Sequence, residues 1–161
     1  MKNIFLELGS NLGNRIENLQ KAQNKIEEFI GKISSFSSLY ETEPWGFKSE
    51  TDFLNMVLSV KTELSASGLL GRILMIESQM GRTRCDNEYS PRIIDIDILF
   101  YDNEIVNEEA LVIPHPRMHE RRFALVPLTE IAPDLVHPVL KKSMKELLKK
   151  CKDKSNVRKF S

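Results

Sequence analysis

The chain has 161 residues and carries 23 Lys and Arg against 23 Asp and Glu, so its formal net charge is zero. That length fits one domain with a normal buried core, residues 1–161, and the charge balance argues against a dedicated nucleic-acid binder, whose footprint is a basic surplus, while leaving room for a small anionic substrate held by local arginines. Cys85 and Cys151 are too few and too far apart for a disulfide framework or a Cys-x-x-Cys metal site, no apolar run could span a membrane, and the N-terminus lacks the apolar core of a signal peptide, so a cytoplasmic protein is expected.

Residues 4–8 read as a short strand, followed by the turn-rich Gly9-Ser10-Asn11-Leu12-Gly13-Asn14. This loop lacks the Lys-Ser/Thr ending of a phosphate-cradling P-loop, and an ordinary strand-to-helix connection accounts for it. Asn14 suits the cap of a helix, with Glu17 as capping-box partner, an apolar stripe at Ile16, Leu19, Ala22, Ile26, Phe29 and Ile30, and a stop at Gly31. Residues 33–40 have strand composition, and Pro44 and Gly46 break the chain after Thr42. Trp45 and Phe47 in that break either fold back on the core or close over a ligand.

Residues 53–62 alternate as a strand, with Leu54, Met56, Leu58 and Val60 on one face and Phe53, Asn55 and Val57 on the other. A flat ring beside a carboxamide suits a planar heterocycle, although an aromatic packed under a helix beside a polar neighbour gives the same pattern. Ser65 suits the cap of a second helix, with apolar positions at Ala66, Leu69, Leu70, Ile73, Ile76 and Met80 and an end at Gly81. Glu77, near its C-terminal end, either faces solvent beside Arg84 or helps arrange a site. Residues 82–90 form a polar loop without periodicity, a candidate moving segment.

In residues 92–101, Ile94, Ile96, Ile98 and Phe100 recur every second residue, which is the period of a half-buried strand. Asp95 and Asp97 fall together on the opposite face, roughly 6.6 Å apart along the strand axis. Asp is depleted in strands because its short side chain competes for the backbone. The pair is either a solvated sheet face or a metal site, and Arg82, Arg84 and Arg92 just upstream favour a site for a metal–polyphosphate complex. Asp102-Asn103 signals a hairpin turn with a return strand at residues 104–106. His115, held in extended backbone between Pro114 and Pro116, is either a surface histidine or a phosphate donor working with Arg117, Arg121 and Arg122. Residues 123–128 return to the core, residues 143–150 form a short amphipathic helix, and the lysine-rich residues 151–161 are expected to fray.

The motifs Leu8-Gly9-Ser10-Asn11-Leu12-Gly13, Thr42-Glu43-Pro44-Trp45-Gly46, Phe53-Leu54-Asn55, Gly81-Arg82-Thr83-Arg84, Pro91-Arg92-Ile93-Ile94-Asp95-Ile96-Asp97, Pro114-His115-Pro116-Arg117 and Pro127-Leu128-Thr129-Glu130-Ile131-Ala132-Pro133 together resemble the 6-hydroxymethyl-7,8-dihydropterin pyrophosphokinase family of folate biosynthesis. The resemblance implies a ferredoxin-like α+β sandwich, a mainly antiparallel sheet with flanking helices, which the strand-helix-strand-strand-helix-strand reading fits. It implies pyrophosphoryl transfer from ATP to the pterin hydroxymethyl oxygen with release of AMP, and two Mg²⁺ ions held by Asp95 and Asp97. By the same resemblance, Arg82 and Arg92 act in catalysis with the two aspartates, and Glu77, Arg84, Leu111, His115 and Arg121 bind ATP. Thr42, Pro44, Trp45, Phe53, Asn55 and Phe123 would hold the pterin. Phe53 stands where the family often has Tyr, and Pro116 where it often has an aromatic residue. A monomer acting on small molecules, with no nucleic-acid partner, is expected.

Two rival readings use the same residues. A two-metal nucleotidyltransferase would also employ Asp95 and Asp97 but would release pyrophosphate rather than AMP. An RNA-binding module of the same fold class needs exposed aromatics on a basic sheet face, where these acids would repel phosphate.

Overall fold

The structure, a computed structural model, describes residues 1–43, 51–81 and 93–160. The break expected at Pro44 and Gly46 and the moving segment expected at residues 82–90 lie outside the described residues, as do residues 91 and 92. Among the described residues, eight strands and four helices follow one another as β1 (Lys2–Ser10), α1 (Arg15–Phe29), β2 (Gly31–Phe36), β3 (Tyr40–Thr42), β4 (Phe53–Thr62), α2 (Ala66–Gln79), β5 (Asp95–Tyr101), β6 (Val106–Glu108), β7 (Leu111–Ile113), α3 (Arg122–Ile131), α4 (Met144–Lys150) and β8 (Val157–Lys159). A single 3-10 turn at Met118–Glu120 leads into α3.

The main sheet runs β5-β1-β4-β3-β8, with β2 also paired to β4, and every pairing in it is antiparallel. β4 is the spine. One edge pairs with the whole of β1, while the other is shared by β2 alongside Leu58–Thr62 and β3 alongside Phe53–Asn55. β1, α1, β2, β4, α2 and β5 give the expected ferredoxin-like order, and the family of β-α-β-β-α-β folds is recovered with an added outer layer.

The sheet is covered on both faces because its strands carry two apolar sets. Ile4, Leu6 and Leu8 of β1 and Leu54, Met56, Leu58 and Val60 of β4 face the stripes of α1 and α2, through Leu19, Ala22, Ile26, Leu69, Ile73 and Ile76. On the opposite face Phe5, Val57, Leu99 and Phe100 pack against Ala124, Leu125 and Leu128 of α3 and Met144 and Leu147 of α4. Burying side chains of this size contributes roughly 1.5–3 kcal/mol each before conformational entropy is set against it.

Helix starts follow the capping logic. Asn14 accepts from the Glu17 amide at 3.1 Å and Ser65 from the Gly68 amide at 3.1 Å. Ser143 and Glu146 form a full capping box on α4. Glu17 itself pairs with Lys21 at 3.2 Å. Gly31 does not stop α1 in a left-handed turn. It opens β2, where a Cβ would lie 2.0 Å from the Lys61 carbonyl oxygen, so the residue is small because two strands meet there.

Four expectations are corrected. The strand read through residues 33–40 is two strands, because Ser37 leaves the pairing register and its hydroxyl accepts from the Val57 amide at 2.9 Å. The return strand expected at residues 104–106 does not pair with β5; Val106–Glu108 instead pairs with Leu111–Ile113 as a separate ribbon. Phe100 does not share a face with Ile94, Ile96 and Ile98. A bulge at Leu99 shifts the register, so that Leu6 faces Ile98 but Phe5 faces Phe100, and the ring turns into the α3 layer. Residues 151–160 are not frayed: β8 pairs residue for residue with β3, the Phe160 amide donates to the Leu39 carbonyl at 2.8 Å, and Cys151 is buried.

Candidate active site

The second helical layer does not reach the far end of the sheet. Phe5, Val57 and Phe100 are covered by α3 and α4, but one strand repeat further on the same face come Glu7 and Gly9 of β1, Asn55 and Phe53 of β4, and Asp97 and Asp95 of β5. The register aligns them in rows across three strands: Gly9 lies between Asn55 and Asp95, and Glu7 between Val57 and Asp97. These residues line a cavity of about 390 Å³ that also wraps around β5, the edge strand, to reach α2 and β7. Such a volume is within the usual range for small-molecule sites.

On the β4 side, the Asn55 Nδ2 donates to Thr42 Oγ1 at 2.6 Å, and both residues are buried. A Cβ on Gly9 would lie 2.5 Å from Asn55 Oδ1 and 3.5 Å from the Phe53 ring, so the carboxamide and ring sit directly over bare backbone. Phe53 and Phe123 both line the cavity, from β4 and from the first turn of α3. The Arg121 guanidinium lies 5.7 Å from the Phe123 ring centroid, and Arg121 is itself 7% exposed.

Asp95 and Asp97 are half-buried and point the same way from β5. Behind them, Glu77 resolves the choice left open by the sequence: it is buried, and its Oε2 accepts from the Ile96 amide at 2.9 Å. Among the described residues no strand pairs with β5 on that side, and the amide between the two aspartates finds its partner in α2 instead of in a ladder. Leu111 lines the same side of the cavity from β7.

His115 enters through a chain of backbone contacts. Its amide donates to the Leu99 carbonyl at 3.1 Å, at the bulge, and its Nδ1 accepts from the Arg117 amide at 3.1 Å. That bond leaves the ring proton on Nε2, which makes the half-buried imidazole a donor on the cavity wall.

The cavity therefore brings together Thr42, Phe53, Asn55, Glu77, Asp95, Asp97, Leu111, His115, Arg121 and Phe123. Pro44, Trp45, Arg82, Arg84 and Arg92 lie outside the described residues. Sequence reading passed over Glu7. An acid in the middle of an otherwise apolar strand was the available signal, the same one that singled out Asp95 and Asp97. Glu7 is 4% exposed, and burial pushes its carboxyl well above the usual range, with Asp97 adding to the shift and Arg121 opposing it.

The donor set fits magnesium. Two carboxylates on one strand face are hard oxygen donors, and among the described residues no group of three or more His, Cys, Asp or Glu side chains could hold a metal by itself. Magnesium is commonly held in this way, by one or two carboxylates with substrate phosphates and water completing the shell. No described helix is long and apolar enough to cross a membrane.

The family model described as 7,8-dihydro-6-hydroxymethylpterin-pyrophosphokinase matches residues 5–133. A relative named 2-amino-4-hydroxy-6-hydroxymethyldihydropteridine pyrophosphokinase from Aquifex aeolicus is 42% identical over 146 residues, which is 91% of this chain and 90% of that protein. The folic acid synthesis protein fol1 of Pneumocystis carinii is 43% identical over 150 residues, 93% of this chain but 20% of that longer protein. Among solved structures, the crystal structure of Plasmodium falciparum HPPK-DHPS wild type with SDX-DHP superposes with a TM-score of 0.77 at 21% identity, over 93% of this chain and 43% of that one.

Proposed function

The chain belongs to the 7,8-dihydro-6-hydroxymethylpterin-pyrophosphokinase family, and on that footing we propose how its cavity carries out the family's reaction. The enzyme transfers a pyrophosphoryl group from ATP to 6-hydroxymethyl-7,8-dihydropterin, a step of folate biosynthesis. The substrate's hydroxymethyl oxygen gives up its proton to solvent and bonds to the β-phosphorus, the bond from that phosphorus to the α–β bridging oxygen breaks, and AMP leaves.

The observation that carries the assignment of roles is the alignment of Asn55, Gly9 and Asp95 in one row across three strands. A heterocycle read by Asn55 and Thr42 and stacked between Phe53 and Phe123 brings its hydroxymethyl arm toward the aspartates without leaving the cavity. Asp95 and Asp97 would hold two magnesium ions, which when bound neutralise the triphosphate and lower the cost of charge developing on the leaving oxygen. Arg121 and the Nε2–H of His115, which line the same cavity as the aspartates, serve as phosphate donors, and Arg82, Arg84 and Arg92 are proposed to add guanidinium groups to the same chain of phosphates. Glu77 acts through the Ile96 amide, fixing the backbone between the two aspartates. Leu111 and the apolar face of α2 form the wall against which the nucleotide base packs. No side chain need be a strong base, because the geometry supplies positioning and charge neutralisation.

The residues 1–161 form one catalytic unit in this reading, working as a monomer in the cytoplasm on small molecules alone. Incubation with ATP, Mg²⁺ and 6-hydroxymethyl-7,8-dihydropterin, followed by nucleotide analysis, tests the reading. AMP equal to the pterin diphosphate formed is expected, whereas release of free pyrophosphate would favour the nucleotidyltransferase alternative.

A further inference from the structure

Among the described residues, Glu7 is the one buried acid of the cavity to which the mechanism above gives no task. It lies on β1 between Val57 and Asp97, on the face that carries Gly9 and Asn55 one strand repeat away. The side chain is 4% exposed, and its Oε2 is closed off from solvent with no hydrogen-bond partner among the described residues. A buried carboxyl oxygen without a donor is destabilising, and a short apolar residue would fill the same place without that cost. Metal ligation does not account for it, because Glu7, Asp95 and Asp97 do not converge into a three-ligand metal group among the described residues. Packing does not account for it either, since α3 and α4 cover Phe5 and Val57 but leave Glu7 on the cavity wall.

The molecule that enters this cavity brings what Glu7 lacks. A dihydropterin has several N–H donors on its rings, and Phe53, Asn55 and Phe123, between which the reading above stacks it, line the same cavity as Glu7. Gly9 offers no side chain there, so the nearest β1 side chain on that face is Glu7. We propose that Glu7 is a further substrate-positioning residue of this chain, whose carboxyl accepts a hydrogen bond from a ring N–H of the bound dihydropterin and so fixes the ring's depth in the slot. The inference rests on the pterin reading above.

The test is calorimetric titration of the dihydropterin into the full chain with Mg²⁺ and α,β-methylene-ATP present, for wild type, Glu7→Met, which keeps the volume but removes the acceptor, and Glu7→Gln, which keeps a carbonyl acceptor. Glu7→Met should bind the dihydropterin about tenfold more weakly, with nucleotide affinity unchanged and Glu7→Gln recovering most of the loss. Thermal melts establish that each variant is folded, and Glu7→Ala replaces Glu7→Met if the latter does not fold. Unchanged dihydropterin affinity without the acceptor would overturn the proposal, as would an equal loss in nucleotide affinity, which would assign Glu7 to the phosphate end. AMP formation by wild type in a parallel assay separates the levels: turnover with unchanged Glu7→Met binding removes the role of Glu7 alone, and a wild type that neither binds nor turns over removes the pterin reading with it.

Discussion

A single methyl group at Gly9 would meet Asn55 Oδ1 at 2.5 Å, and the carboxamide is already tied to Thr42 at 2.6 Å. Gly9→Ala therefore has to displace the group proposed to read the heterocycle edge. The expected result is a rise of about tenfold in KM for the dihydropterin with KM for ATP little changed, measured by steady-state kinetics. Asp97→Ala should abolish turnover while the circular dichroism spectrum stays that of the wild type, because a half-buried acid on a cavity wall is no part of the core. Retained turnover would contradict its assignment. Single residues were the most readable level of this molecule. Asp95 and Asp97 stood out because strands disfavour Asp, and Phe53 and Asn55 because alternation put a ring and an amide on one face. Glu7 carried the same signal, but one acid in a strand read as short is a weaker departure from pattern than two.

Elements were legible where periodicity and caps acted locally, as in α1, α2, α4 and β4. They were not where distant contacts decide. β8 is three residues long and exists because β3 offers an edge, with Arg158 reaching Glu41 at 2.9 Å and Asp52 at 3.1 Å to hold it there. α3 contains Pro127, which disguises a helix, and its first turn is secured by the supposed loose tail: Asp153 Oδ2 accepts from the Arg122 amide at 2.9 Å. Partial burial alone would raise the Asp153 carboxyl, but hydrogen bonds from Arg122 and Ser155 outweigh it and hold the group below its usual 3.8. A depressed folded-state value means stability that is present above 3.8 and is lost as pH falls through the lower, folded value. Asp153→Ala should thus cost about 1 kcal/mol near neutrality, and the gap to wild type should close under acid, as followed by urea unfolding across pH. Because Phe123 lies in that turn and Arg121 immediately precedes it, the same variant should weaken dihydropterin binding; normal binding with lowered stability would separate the cap from the site.

At the scale of the whole molecule, the sheet is used twice. One face is closed along its length by α1 and α2, while the other is closed by α3 and α4 only as far as Val57 and Phe100, and the site occupies the remainder. The bulge at Leu99 serves both halves, turning Phe100 into the second core and freeing the Leu99 carbonyl to anchor His115. The alternating pattern revealed the strands but not this bulge, since one extra residue changes facing without changing composition. The C-terminal strand closes the sheet beside β3, so a chain ending at residue 150 loses both β8 and the Asp153 cap. Such a chain should melt several degrees lower, by roughly 2–4 °C for each kcal/mol lost. An unchanged melting temperature would mean that β8 contributes nothing to closure.

Asp95 and Asp97 are proposed to hold magnesium against the nucleotide's phosphates. Calorimetric titration of α,β-methylene-ATP into wild type and into Asp95→Asn/Asp97→Asn, each with and without Mg²⁺, measures it directly. Wild type should bind markedly more tightly with Mg²⁺ than without, and the double variant should lose that difference; a double variant with the wild type's Mg²⁺ dependence would contradict the account.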